Sequence, residues 1–256
     1  MAGPAVLVQA CLNGSRRSDE HEALPVSPQG LAAAARGAVA AGAAALHVHP
    51  RLPGGAETLE PAACGETVRE ILAACPGVPV GLTTGAWIDP DPRHRLLQLS
   101  RWTVRPDFVS VNFSEPGALA ICEWLIHHGI GIEAGLATIA DAGVLVESGV
   151  AHRCLRVLVE VEDPDPGAAV EDAQAIDALL DAHGVTVGRL HHGVGLATWA
   201  VLDAALDRGR DIRVGFEDTL HLPDGRRAQD NAELVAAAVD LACRHGRSIV
   251  SPGHHA

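Results

Sequence analysis

The sequence contains no lysine and no tyrosine, and all 19 of its basic side chains are arginine. Schiff-base catalysis, attachment of pyridoxal phosphate and the lysine of a phosphate loop are therefore excluded. An enzyme of this composition that breaks carbon–carbon bonds needs a metal where others use an iminium. The cysteines at 11, 64, 75, 122, 154 and 243 include no C-x-x-C pair, which argues against a thiolate metal site or a disulfide frame and for small buried hydrophobes. Basic clusters are also missing, and the net charge of -13 is spread along the chain. Nucleic acid and anionic membranes are accordingly not expected as partners. The first residues lack a charged segment followed by an apolar one, and no apolar run approaches the roughly 18 residues of a membrane span. A cytoplasmic protein is expected.

Present instead is an alternation of strand and helix patterns from end to end. Strands are expected at 5–10, 44–49, 79–83, 107–112, 131–136, 154–161, 188–192 and 211–216, and helices at 28–41, 61–74, 92–101, 116–128, 138–148, 168–183, 196–208 and 231–245. Several helices open on the proline suited to a first turn. Eight such units in 256 residues fit a single (β/α)8 TIM barrel spanning 1–256, with apolar strands covered on both faces. A doubly wound open sheet is the alternative, weakened because no G-x-G-x-x-G follows the first strand. In such barrels the reactive groups sit at the carboxyl ends of the strands. Those ends carry Asn13 and Arg16, His47 and His49, Thr83 and Thr84, Ser110 and Asn112, Glu133, Glu160 and Glu162, His191 and His192, and Arg213, Glu217 and Asp218.

Two stretches are the most informative. In Leu46-His47-Val48-His49-Pro50-Arg51 the imidazoles alternate with apolar residues, so they share one face of a strand. They can hold one metal ion, or form a hydrogen-bonded polar pair at a strand end. In Arg213-Val214-Gly215-Phe216-Glu217-Asp218, continued strand would put Arg213, Gly215 and Glu217 on one face, with Gly215 removing bulk between arginine and carboxylate. Strand eight closes on strand one, so Glu217 can face the same space as the histidines. Two imidazoles and a carboxylate are a familiar catalytic zinc set, while an Arg213–Glu217 ion pair is the plainer outcome. Asp218 is either a general base held ionised by Arg213 or a cap on the following loop.

With these residues in view, the chain resembles the β-keto acid cleavage enzyme family. The resemblance is carried by Leu12-Asn13-Gly14, Leu24-Pro25-Val26-Ser27-Pro28, Ala41 to Arg51, Leu82-Thr83-Thr84-Gly85, Val109-Ser110-Val111-Asn112 and Gly193-Val194-Gly195. Most specific is Ile212 to Asp218 followed by Ala228-Gln229-Asp230-Asn231-Ala232-Glu233-Leu234-Val235. It implies a zinc-dependent TIM barrel that condenses a β-keto acid with acetyl-CoA and releases acetoacetate and a new CoA ester. By position it implies His47, His49 and Glu217 as zinc ligands, Arg213 and Asp218 as the catalytic base pair, and Thr83, Ser110 and Asn112 as substrate contacts. A homo-oligomer such as a tetramer is implied too, and the alanine-rich outer helices suit burial against another subunit.

The match has departures. Arg16 and Gly135 stand where relatives acting on an amino-substituted keto acid carry acids, which counts against that substrate. Leu196 stands where an arginine is common, which puts the usual CoA or carboxylate contact in question. Competing readings are a metal-dependent aldolase, lyase or hydrolase that works without CoA, and a non-catalytic barrel relative. Retention of both histidines with Arg213, Glu217 and Asp218 argues against the last.

Overall fold

The computed structural model describes residues 5–251. Eight parallel strands pair in chain order and close on themselves. They are β1 (Val8–Cys11), β2 (Ala45–Val48), β3 (Val80–Leu82), β4 (Phe108–Asn112), β5 (Gly131–Leu136), β6 (Arg156–Val161), β7 (Gly188–Gly193) and β8 (Asp211–Val214). Eight helices follow them: α1 (Pro28–Ala40), α2 (Pro61–Ala74), α3 (Pro92–Ser100), α4 (Ala118–His127), α5 (Ile139–Ser148), α6 (Pro166–Ala182), α7 (Thr198–Asp207) and α8 (Asn231–Arg244). The expected (β/α)8 barrel is the observed one. Among the described residues no helix is long and apolar enough to cross a membrane.

Local chemistry accounts for the helix starts. Prolines open α1, α2, α3 and α6, where a missing N–H costs nothing. Side chains of Ser27, Asp91, Thr138, Asp165 and Asp230 accept first-turn amides of α1, α3, α5, α6 and α8. Strand alternation then divides the barrel wall. Val8, Ala10, Leu46, Val48, Val109 and Val111 join the apolar layer shared with the helices, and the residues between them fill the interior.

The lower interior is sealed by a polar knot. Glu133 accepts hydrogen bonds from Gln9 Nε2 at 2.6 Å and Arg156 Nε at 2.7 Å, with the Arg156 guanidinium 5.2 Å above the Phe108 ring. Glu133, expected at a strand's carboxyl end, is therefore part of the barrel floor. Three boundaries also differ from expectation. β1 begins at Val8, where pairing with β8 starts. A 3-10 turn, Gly195–Ala197, precedes α7 and leaves Leu196 80% exposed. β8 stops at Val214, because Asp218 and Thr219 amides both turn back to the Gly215 carbonyl.

Candidate metal centre and active site

His47 lies in β2 and His49 just past its end. The alternation expected of them holds, and their rings meet edge to face with centroids 5.2 Å apart. A reciprocal pair of hydrogen bonds clamps the His49 backbone: Asn13 Nδ2 donates to its carbonyl at 2.8 Å, and its amide donates to Asn13 Oδ1 at 2.9 Å. Arg51 ties the neighbouring β1–α1 connection by donating to the carbonyls of Gly14 and Arg16.

Glu217 arrives by a route that strand alternation does not describe, since it sits in the tight turn after β8. A side chain at Gly215 would collide with the Cys11 backbone, so glycine there permits close approach of β8's end to β1. The expectation that Gly215 clears space between Arg213 and Glu217 is corrected accordingly. Gly14 has φ +56°, and a Cβ there would collide with the Glu217 side chain. Asn231, the first residue of α8, locks the crossing by accepting the Phe216 amide at 2.8 Å and donating to the Leu12 carbonyl at 2.9 Å.

The outcome brings together side chains from early and late in the sequence. Glu217 Oε1 lies 3.4 Å from His49 Nε2 and Oε2 lies 3.8 Å from His47 Nε2. Ligand atoms of all three residues fall within 4.8 Å of one another. Buried Glu217 Oε2 has no hydrogen-bond partner, an arrangement costly unless another group completes it. Two imidazole nitrogens and a carboxylate at this separation form a donor set that could hold a metal ion. The ion pair considered as the plainer outcome is also present, Arg213 Nη2 to Glu217 Oε1 at 2.5 Å.

Burial and charge set the protonation states. Burial depresses the His47 pKa to about 3, against the pull of Glu217. For His49 burial acts the same way, but Glu217 and Glu57 override it and raise the pKa to about 9. Burial opposes ionisation of Glu217, yet Arg213 and the two imidazoles hold it well below the usual carboxylate range.

Asp218, 1% exposed, accepts from Arg213 Nη2 at 2.9 Å and from the Cys11 thiol at 2.8 Å. His192 Nδ1 lies 3.1 Å from its Oδ1, the oxygen that accepts from Arg213 Nη2. Burial works against its charge, and Arg213 and His192 outweigh burial and keep it ionised. The adjacent cavity, about 290 Å³, is lined by His49, Asn112, Arg213, Glu217 and Asp218 together with Trp87, Glu160, Glu162 and His192. Thr83 and Ser110 are buried nearby but outside that lining. Thr83 Oγ1 accepts the Gly85 amide at 3.2 Å, and the Ser110 carbonyl accepts Thr84 Oγ1 at 2.6 Å. A larger cleft of about 710 Å³, between the β1–α1 and β2–α2 connections, contains none of these groups.

Sequence reasoning missed four participants. Cys11 was expected to be a small hydrophobe, Asn231 had no assigned role, and Glu57 drew no notice. His192 was grouped with His191, although alternation separates them. His192 pairs in register with Glu160 and faces the interior, whereas His191 points to Asp177 of α6 at 3.4 Å. At Gly135 a side chain would collide with Glu160 and Asn112, so a carboxylate from β6 occupies the space over that glycine.

Comparison with known proteins is consistent with this geometry. The beta-keto acid cleavage enzyme family profile matches residues 5–152 and 137–255. The chain is 26% identical to the 3-keto-5-aminohexanoate cleavage enzyme of Fusobacterium nucleatum, covering 96% of this chain and 94% of that protein. The enzyme of the same name from Acetoanaerobium sticklandii is 24% identical, with 96% and 95% covered. Among solved structures, ObcA bound to oxaloacetate superposes with a TM-score of 0.74 at 17% identity, covering 90% of this chain and 66% of ObcA. ObcA with a C4-CoA adduct and oxalate gives a TM-score of 0.73 at 18% identity, covering 89% of this chain and 65% of ObcA. The chain thus spans slightly under two thirds of ObcA, and at these identities the likeness is one of fold.

Proposed function

The chain belongs to the β-keto acid cleavage enzyme family, and from that premise we propose that it is a zinc-dependent enzyme that transfers the acyl part of a β-keto acid to CoA. In the overall exchange the CH2–COO⁻ unit of the keto acid joins the acetyl group of acetyl-CoA as acetoacetate, and the remaining acyl group leaves as the new CoA ester. The observation that carries this reading is the convergence of His47, His49 and Glu217 beside the Arg213–Asp218 pair. The curated relatives are named for cleavage of a β-keto acid, and a CoA adduct occupies the fold neighbour ObcA.

His47, His49 and Glu217 would hold the zinc, and bound there it would supply Lewis-acid polarisation of the substrate carbonyl. Asp218, ionised at neutral pH, accepts a proton from the methylene between the ketone and the carboxylate of the keto acid, and the resulting carbanion attacks the thioester carbonyl of acetyl-CoA. The displaced CoA sulfur adds to the former ketone carbon. Breaking the bond from that carbon to the methylene, with the proton returned from Asp218, releases acetoacetate and the new CoA ester. Arg213, between Asp218 and Glu217, keeps the two carboxylates from repelling each other and aims the base. The Cys11 thiol donates to the Asp218 oxygen at 2.8 Å and limits its rotation. Asn112, at the cavity wall, offers an amide to the substrate, and Thr83 and Ser110 support that wall from behind.

The cavity also constrains the substrate's far end. Its basic side chains, His49, His192 and Arg213, each lie against a carboxylate, while Glu160 and Glu162 add negative charge to the lining. A keto acid with a neutral or hydrogen-bond-donating far end is favoured over a dicarboxylate. Incubating the purified protein with a panel of β-keto acids and acetyl-CoA, read by CoA-ester mass, tests both points. Keto acid consumed equally fast without acetyl-CoA would identify a metal aldolase or lyase instead, and preference for dicarboxylates would refute the reading of the far wall.

A further inference from the structure

Two residues that the proposed chemistry does not use are joined to the metal cluster by short contacts. Glu57 belongs to the β2–α2 connection, where a two-residue bridge between Arg51 and Glu57 closes a small hairpin. Hydrogen bonds from the Leu52 amide to the Ala56 carbonyl and from the Thr58 amide to the Pro50 carbonyl brace it. So anchored, Glu57 places Oε1 2.5 Å from His49 Nδ1. Its other oxygen accepts the indole N–H of Trp87 at 3.1 Å. Trp87 comes from the β3–α3 connection, lies nearly parallel to the His49 ring with centroids 6.1 Å apart, and lines the cavity. A side chain at Gly85 would run into the Trp87 ring, so that glycine lets the indole lie against the chain.

We propose that Glu57 is a positioning residue that couples the metal site to Trp87 in the wall of the substrate cavity. The inference rests on the reading of His47, His49 and Glu217 as metal ligands. Accepting the Nδ1 proton fixes the His49 tautomer and turns Nε2 toward Glu217, as outer carboxylates commonly do for metal-bound histidines. Coordination at Nε2 alters the strength of the Nδ1 donor, and with it the charge that Glu57 presents to the Trp87 indole through Oε2. Metal occupancy is thereby felt at the cavity mouth, where Trp87 is 54% exposed.

Zinc titration of metal-stripped protein, with affinity from chelator competition and indole emission recorded together, tests this without turnover. Wild type should bind zinc with a change in emission. Trp87→Phe should bind zinc within a few-fold of wild type but lose that change, the other three tryptophans lying elsewhere. Glu57→Gln, which keeps the shape and one acceptor, should weaken zinc about 10–100-fold with an unchanged circular dichroism spectrum. Wild-type zinc affinity in folded Glu57→Gln would overturn the positioning role, and an emission change that persists in Trp87→Phe would overturn the coupling. A wild-type protein that takes up no zinc at all would instead remove the metal reading beneath both.

Discussion

Two buried charge clusters in this barrel are built from the same residue types and differ in whether they are closed. Outside the barrel wall, Asp177 of α6 has both carboxylate oxygens engaged. Oδ1 accepts from Arg189 at 2.7 Å, and Oδ2 from Arg210 at 3.0 Å and Arg208 at 3.3 Å. Arg189 reaches on to Asp181 and the Val185 carbonyl. That network stitches α6, β7 and the α7–β8 connection together. Inside the wall, His47 Nδ1 and Glu217 Oε2 are buried without partners, and the cluster opens onto a cavity. A closed cluster contributes fold stability; an open one has donor atoms turned toward a common point. Residue type does not separate the two, nor does an unpartnered nitrogen, since His191 Nε2 beside Asp177 also lacks a hydrogen bond; the cavity against the inner cluster does.

The largest effect expected from either cluster is on turnover. Asp218→Asn should lower kcat by about 10²–10⁴-fold, the usual contribution of a positioned base, while metal content and melting temperature stay near wild type. Undiminished turnover would remove Asp218 from the base role. His49→Ala should lose the metal, as measured by elemental analysis, and keep its circular dichroism spectrum. An unchanged metal content there would mean that the ligands are misassigned. The outer cluster should behave the opposite way. Asp177→Ala leaves Arg189 buried without its main carboxylate, a loss of about 3–5 kcal/mol by urea denaturation. Turnover of the molecules that remain folded should be unaltered. If Asp177→Ala instead spared stability and cut activity, the division between the clusters would collapse.

That division also marks how far the sequence could be read. The barrel was legible because eight apolar strands alternate with helices that carry their own start signals, Pro28, Pro61, Pro92 and the caps at Thr138 and Asp230 among them. His47 and His49 were legible because period-two alternation needs no tertiary information. Glu217 was assigned for a reason that does not hold locally, since β8 ends before it. A tight turn and the crossing at Gly14 and Gly215 bring it to the site, and both depend on β1 lying alongside. Glu57 was illegible for a related reason, being delivered by a hairpin that its own neighbourhood closes. Cys11 looked apolar because a thiol's hydrogen bond depends on a partner over 200 residues away.

The adjacent histidines of β7 give a sharper and smaller test. His192→Gln should reduce kcat by about tenfold, corresponding to about 1.4 kcal/mol of barrier, because it removes an imidazole facing Asp218 and Glu160. Stability should change little. His191→Gln should leave kcat within about twofold and cost about 1 kcal/mol of stability, since the carboxylate it faces, Asp177, belongs to the outer cluster. Equal effects from the two substitutions would show that wall alternation does not separate function from support.

The smallest effect is a difference in pH dependence of a few degrees in melting temperature, and it distinguishes the clusters by sign. Burial disfavours the Asp177 charge, but His191, Arg189 and Arg210 depress its pKa below the ordinary value. A depressed carboxylate contributes stability above its unfolded pKa and loses it as pH falls through the folded one. Wild type should therefore weaken more steeply in acid than Asp177→Asn does. His49 in metal-stripped protein has the opposite sense. With its folded pKa raised from 6.5 to about 9, its contribution is complete below pH 6.5 and disappears as pH rises through 9. Melting curves in chelator should accordingly fall across that interval in wild type and flatten in His49→Gln. Saturating zinc should reverse the slope, because binding requires the deprotonated imidazole and displaces a proton. A wild-type slope that zinc leaves untouched would mean that the ion binds elsewhere and that the inner cluster is as self-contained as the outer one.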